Sequence, residues 1–174
     1  AMARSPMNDK NGIAINYVVM TYARCGATFL SQLLGSTGSL GRPEDWFNGT
    51  GYRNRGIDGY PLDRAGQIEM MRTGGRSANG VCAVKLSPRR FDELSGVDLF
   101  AIFDSPRFVH LTRADRLARA ISEVRAEQTG KWRSTSVQSA TPRYDARAIR
   151  AAIRRQALGE ARLRQYFAWN DIAP

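Results

Sequence analysis

The stretch Tyr17-Val18-Val19-Met20-Thr21-Tyr22-Ala23-Arg24-Cys25-Gly26-Ala27-Thr28-Phe29-Leu30-Ser31-Gln32-Leu33-Leu34 decides the fold. Its first five residues are a β-branched run of strand length. Tyr22 to Gly26 reads as a turn. From Ala27 onward, Phe29, Leu30, Leu33 and Leu34 recur at helical spacing, so a helix follows directly. Strand, tight loop and helix in that order form the opening unit of a parallel α/β sheet. Such a loop offers backbone N–H groups and a helix N-terminus to an anion, and Gly26 permits close approach of a phosphate. The same turn also serves as a plain structural connection.

Working outward, Gly35 and Gly38 end the first helix, and Leu40 to Phe47 is a loop. Asn48 to Pro61 is irregular, rich in Gly, Asn, Tyr and Arg. Leu62 to Arg72 has moderately amphipathic helical spacing, broken by Thr73 to Gly80. Val81 to Leu86 is a second apolar strand, Pro88 to Leu94 a short helix, and Phe108 to Thr112 a third strand. Asp115 to Gln128 reads as a helix with Leu117, Ala120, Ile121 and Val124 on one face. A Ser/Thr-rich connection, Gly130 to Pro142, leads to a long Arg/Ala-rich amphipathic helix over Tyr144 to Trp169. Strands alternating with helices predict an α/β fold, a parallel central sheet with right-handed crossovers flanked by helices. No internal repeat or boundary divides the chain. The expectation is a flexible polar tail over residues 1–11 and a single domain over 12–174.

With 174 residues, 43% hydrophobic and 24% charged, the chain can bury one continuous core and is not disordered by composition. No apolar run approaches the roughly eighteen residues that span a bilayer, and the polar N-terminus lacks a secretory pattern, so a cytoplasmic protein is expected. The net charge of +10 comes almost entirely from arginine, with Lys10, Lys85 and Lys131 the only lysines. Arginine's planar fork suits phosphate and sulfate oxygens, so the charge points to an anionic partner: nucleic acid, a phosphorylated cofactor or an anionic surface. A solvated face accounts equally well for many individual arginines. Cys25 and Cys82 have neither metal-site nor disulfide-framework spacing, and Cys82 reads as a buried small hydrophobe. His110, inside a strand, reads as a packing residue. Lys85 closes a strand and either faces a ligand or reaches solvent. Trp46 and Phe47 can stack on a sugar, although core packing is their commoner role.

A second motif runs Leu111-Thr112-Arg113-Ala114-Asp115-Arg116-Leu117-Ala118-Arg119-Ala120-Ile121-Ser122. A strand delivers Arg113 at its end, and the following helix carries Ser122 roughly two turns on. One cation and one hydroxyl can converge there on a second phosphate, at the sheet edge where α/β folds bind ligands. The structural alternative pairs Arg113 with Asp115 and leaves Ser122 a plain helix residue. The first loop lacks G-x-x-x-x-G-K-[ST] and paired carboxylates for Mg²⁺, which argues against a nucleoside triphosphatase, and Arg24 stands where a phosphate loop carries its cation. Ser31 stands where a Cys-x5-Arg phosphatase loop starting at Cys25 would need arginine. No nucleic-acid motif or aromatic-interleaved basic stretch is present, so nucleic acid is an unlikely partner.

Four segments together carry a resemblance: T-Y-A-R-C-G-A-T-F-L, G-R-P-E-D-W-F, N-G-V-C-A-V-K-L, and L-T-R-A-D-R-L-A-R-A-I-S-E-V-R-A-E-Q-T-G-K-W. In this order, and covering most of the chain from Tyr17 to Trp132, they resemble the Stf0 family of bacterial sulfotransferases. The resemblance implies a P-loop-like sulfotransferase fold and the sulfuryl donor 3′-phosphoadenosine 5′-phosphosulfate (PAPS), with no metal. It aligns Arg24, Cys25, Gly26, Ala27 and Thr28 with the loop that holds the 5′-phosphosulfate, and Arg113 and Ser122 with the residues that hold the 3′-phosphate. It matches Asp45 with the family's catalytic base, with Glu44 adjacent as a substitute. By analogy with phosphoryl transfer, Arg24 would stabilise charge on the leaving phosphate while Asp45 takes the acceptor's proton. The implied acceptor is a carbohydrate or glycolipid, and a homodimer is plausible on the same ground.

Three features depart from the family pattern. Cys25-Gly26-Ala27 lacks hydroxyls that would bond phosphate oxygens. Asp45 is one methylene shorter than the family's glutamate. The chain ends at Pro174, where the resemblance leads one to expect a further strand and a cofactor-covering C-terminal segment, so the fold is expected without them. These departures keep open an alternative: a catalytically degenerate relative that binds nucleotide, another anion or nucleic acid without turnover.

Overall fold

A computed structural model of the protein describes residues 15–88, 90, 94, 99–103 and 105–174. The expected tail over residues 1–11 and most of the expected Pro88–Leu94 helix lie outside the described residues. Strand β1 (Ile15–Thr21) is followed by α1 (Ala27–Ser36), α2 (Gly49–Arg53), α3 (Arg64–Gly74), β2 (Val81–Leu86), α4 (Leu99–Ile102), β3 (Arg107–Leu111), α5 (Arg116–Thr129) and α6 (Ala146–Trp169). The three strands form one sheet in the order β2-β1-β3. Both pairings are parallel, with Met20 opposite Leu86 and Thr21 opposite Leu111. The expected α/β architecture with a parallel sheet flanked by helices is what the chain adopts.

The sheet is enclosed chiefly along β1 and β2, whose apolar runs suit strands covered on both faces. Val18, Val19 and Met20 are buried, and so is every residue of β2. The main core joins Val18, Met20, Val84 and Leu86 of the sheet to Trp46, Tyr52, Tyr60 and Met71, and to Leu163 and Phe167 of α6. Cys82 belongs to this core, as expected. Trp46 and Phe47 are core residues too. The Trp46 indole N–H lies 2.9 Å from the Arg42 carbonyl and 3.1 Å from the Ala83 carbonyl, so it pins the 42–47 loop to β2. A smaller cluster of Ala120, Val124 and Ala152 seals α5 against α6.

Helix boundaries follow local chemistry. Asp63, Asp115 and Asp145 cap α3, α5 and α6, each accepting a backbone N–H at 2.8 Å in the first turn. Two apolar stripes behave differently from their periodicity. In α1, Phe29 and Leu33 are 72% and 53% exposed, and the buried residue is Ser31. In α5, Ala120 and Val124 turn inward while Leu117 and Ile121 are exposed, and Arg119 and Glu123 take buried positions. Polar partners across the helix pair, described below, make this rotation possible. The irregular segment 48–61 contains the short helix α2, and α4 has no counterpart in the sequence reading.

Replacing Trp46 with Phe keeps the ring in the core and removes the donor shared by two carbonyls. It should cost about 1–3 kcal/mol of stability, read as a lowered urea midpoint with unchanged slope.

Candidate functional site

The loop after β1 turns sharply. Arg24 adopts φ 65° and Gly26 φ 85°, both in the left-handed region. For Gly26 this is free, whereas for Arg24 it costs roughly 1–2 kcal/mol. Three hydrogen bonds hold Arg24 in place. Its Nε donates to Ser122 Oγ at 2.8 Å, its Nη1 donates to the Trp132 carbonyl at 2.6 Å, and its own carbonyl receives Arg113 Nη1 at 3.5 Å. Residues that the sequence assigns to two separate anion positions, one after β1 and one after β3, therefore meet. Asp115 caps α5 instead of pairing with Arg113, and no ion pair joins the two among the described residues.

Helix α1 starts at Ala27 with Gly26 as its cap. No side chain caps it, and its first turn holds no carboxylate. Its leading amides and the positive end of its dipole are thus offered to an anion beside Arg24. Thr28 is half-buried in this turn. One turn on, the Ser31 hydroxyl sits 2.8 Å from the Ala27 carbonyl and 2.6 Å from the Pro43 carbonyl. That hydroxyl ties the Pro43-Glu44-Asp45 segment directly to the start of α1.

The two carboxylates of that segment diverge. Asp45 Oδ2 pairs with the buried Lys85 Nζ at 3.0 Å, so Lys85 faces this loop from β2 and is not a solvent-seeking lysine. Glu44 is engaged on both oxygens, by Arg42 at 3.2 Å and by the Tyr52 hydroxyl at 2.9 Å. Its backbone also extends the sheet, receiving the Lys85 amide at 2.9 Å. Burial, reinforced by the Glu44 charge, pushes the Tyr52 phenol far above its usual range, so Tyr52 remains a donor to Glu44. His110 is half-buried with its ring 5.4 Å from that of Phe167, and burial lowers its affinity for a proton. It packs, as its sequence position implied.

Sequence reasoning missed the group beneath the loop. Arg119 is 1% exposed, reaches Glu160 at 2.6 Å and Gln156 at 2.8 Å from α6, and donates to Cys25 Sγ at 3.6 Å. Its guanidinium also lies 5.3 Å from the centre of the Tyr22 ring. Arg119 Nη2 has no hydrogen-bond partner among the described residues. Gly159, beside Glu160, lets α6 approach this closely, since a Cβ there would collide with the Tyr22 ring. The available signal was an arginine on the inward stripe of one helix and a lone glutamate on that of the next. Chemically, the whole arrangement gathers two arginines, a hydroxyl and free helix amides against anions, with a lysine-paired carboxylate on the adjoining loop.

The family model for Stf0 sulphotransferase matches residues 16–174 of the chain. The trehalose 2-sulfotransferase of Mycobacterium tuberculosis is 30% identical over 200 aligned positions, which take in 91% of this chain and 74% of that protein.

Arg119→Ala leaves Glu160 with only the longer Arg116 contact at 3.4 Å and opens a space under Cys25. Breaking such a buried pair should cost about 3–5 kcal/mol, measured by chemical denaturation. Gly159→Ala should also destabilise, by about 1–3 kcal/mol through overpacking against Tyr22, without removing any charge.

Proposed function

The chain belongs to the Stf0 sulphotransferase family, and on that premise we propose that it moves a sulfuryl group from PAPS to a hydroxyl of a carbohydrate or glycolipid. The observation that carries the proposal is the meeting of Arg24, Ser122 and Arg113 at the head of α1. A bisphosphorylated donor needs two anion positions a nucleoside apart. The chain gathers two arginines, one hydroxyl and the uncapped amides of α1 there, with no carboxylate in the first turn of α1 to repel the donor's charges. The name of the M. tuberculosis relative supports a carbohydrate as the acceptor. The same proposal includes a cytoplasmic setting and a homodimer.

In this reading Gly26, Ala27 and Thr28 present backbone amides to the 5′-phosphosulfate, with Cys25 held at the loop's base by Arg119. Arg113 and Ser122 hold the 3′-phosphate. Arg24 spans the two positions and neutralises charge that grows on the leaving phosphate. The bound donor supplies an activated sulfuryl group, and the protein's work is positioning and charge stabilisation, with no metal required. Asp45 accepts the acceptor's proton on Oδ1, while Lys85 holds Oδ2 and orients the carboxylate. The Ser31 hydroxyl, by joining Pro43 to Ala27, sets that carboxylate's loop against the donor loop. Glu44 is occupied by Arg42 and Tyr52 and serves the loop's shape.

Calorimetry with 3′-phosphoadenosine 5′-phosphate (PAP) and plain AMP tests the donor site. PAP should bind at least tenfold tighter than AMP, and Arg113→Ala should erase most of that preference, as loss of a charge-assisted hydrogen bond predicts. Equal, weak binding of both nucleotides would leave the degenerate anion-binding alternative as the better account. Asp45→Asn should retain PAP binding and lower kcat by about 10²–10⁴ in a sulfuryl-transfer assay with a disaccharide acceptor.

A further inference from the structure

The outer face of α6 takes no part in the site. By helical periodicity, Arg147, Arg150, Arg154, Leu158 and Trp169 fall on one stripe. All five are exposed, Leu158 at 64% and Trp169 at 77%. The three arginines follow one another at spacings of three and four, so their charges are neighbours that repel. They border a shallow hollow floored by Ala151. No carboxylate of the helix shares the stripe. The one acidic residue of α6, Glu160, is buried against Arg119 and Arg116. Glu123 and Glu127 of α5 are taken by Arg155 on the flank. Asp145 is engaged as the N-cap. A row of like charges that no carboxylate among the described residues neutralises lowers stability unless a partner supplies the anions.

We propose that this face docks the protein on an anionic lipid surface, with the arginines at the phosphate plane and Leu158 and Trp169 inserted just below it. Charge complementarity selects a polyanion, and the two exposed apolar side chains select among polyanions. A bilayer interface accepts arginines and buries apolar neighbours on the same helix face, and tryptophan favours that boundary. A nucleic-acid backbone would neutralise the arginines but leave Leu158 in water. The helix is about 36 Å long, enough to lay the whole stripe along a membrane. No helix among the described residues is long and apolar enough to cross one, so the association is peripheral. The inference rests on α6 alone and is independent of the transfer reaction.

Vesicle co-sedimentation tests it, using phosphatidylcholine alone and phosphatidylcholine with phosphatidylglycerol. The wild type should partition onto the anionic vesicles and not onto the neutral ones. Loss of about fivefold per arginine predicts that the triple variant Arg147→Ala/Arg150→Ala/Arg154→Ala binds on the order of a hundredfold more weakly. Trp169→Ala should weaken binding severalfold with all arginines intact. Equal partition onto both vesicle types, or a triple variant that binds like the wild type, overturns the proposal. Tighter binding of single-stranded RNA, with Trp169→Ala changing nothing, reassigns the face to nucleic acid. Should the triple variant lose helicity by circular dichroism, a salt titration of the wild type decides. Release from anionic vesicles between about 50 and about 500 mM salt is expected, and salt-insensitive binding overturns the idea.

Discussion

Parallel pairing of β1 with both of its neighbours sends the C-terminal ends of all three strands to one edge of the sheet. Every residue of the candidate site leaves the sheet at that edge or docks against it. The Tyr22–Thr28 loop and Arg113 follow β1 and β3, and Lys85 lies one residue from the end of β2. An antiparallel neighbour would carry its equivalent residues to the opposite edge. The burial of β1 and β2 therefore does more than stabilise the fold. It determines which side chains from distant parts of the chain can act on one ligand.

Buried polar contacts then set the finer geometry. A guanidinium as enclosed as Arg119 would be costly alone, and the contacts from Glu160, Gln156 and Cys25 offset that cost. In exchange, α5, α6 and the loop after β1 are held at fixed separations, and Ser122 is brought within 2.8 Å of Arg24. The Lys85–Asp45 pair does the same for the 42–47 loop, with the Trp46 indole and the Ser31 hydroxyl as further ties. Cys25 receives a guanidinium donor, and Asp45 is held by a buried ammonium.

Much of this was legible in the sequence. A β-branched run, a glycine turn and a helical stripe identified β1 and α1, and β2 matched its apolar run from end to end. Arg24, Arg113 and Ser122 could be singled out as candidates for one site because arginine, glycine and hydroxyl at strand ends have a narrow set of uses, and the fold does bring the three together. What escaped were the positions where the apolar pattern yields. Phe29 and Leu33 look like core residues yet are exposed, and Arg119 and Glu123 look like surface residues yet are buried. Periodicity describes one helix at a time, and burial depends on what the neighbouring helix presents.

The sequence by itself determined the strand–loop–helix opening, the parallel α/β architecture and the supply of arginine, glycine and hydroxyl residues at the strand ends, because these depend on local spacing and side-chain chemistry. The tertiary structure decided which of two adjacent carboxylates remains available. Lys85 engages one oxygen of Asp45, whereas Arg42 and Tyr52 occupy both oxygens of Glu44. It also decided that Arg24 meets both Ser122 and Arg113 and that an arginine lies beneath the loop. These outcomes rest on contacts between residues as much as 108 apart in sequence, and only the packed chain brings them within hydrogen-bonding reach.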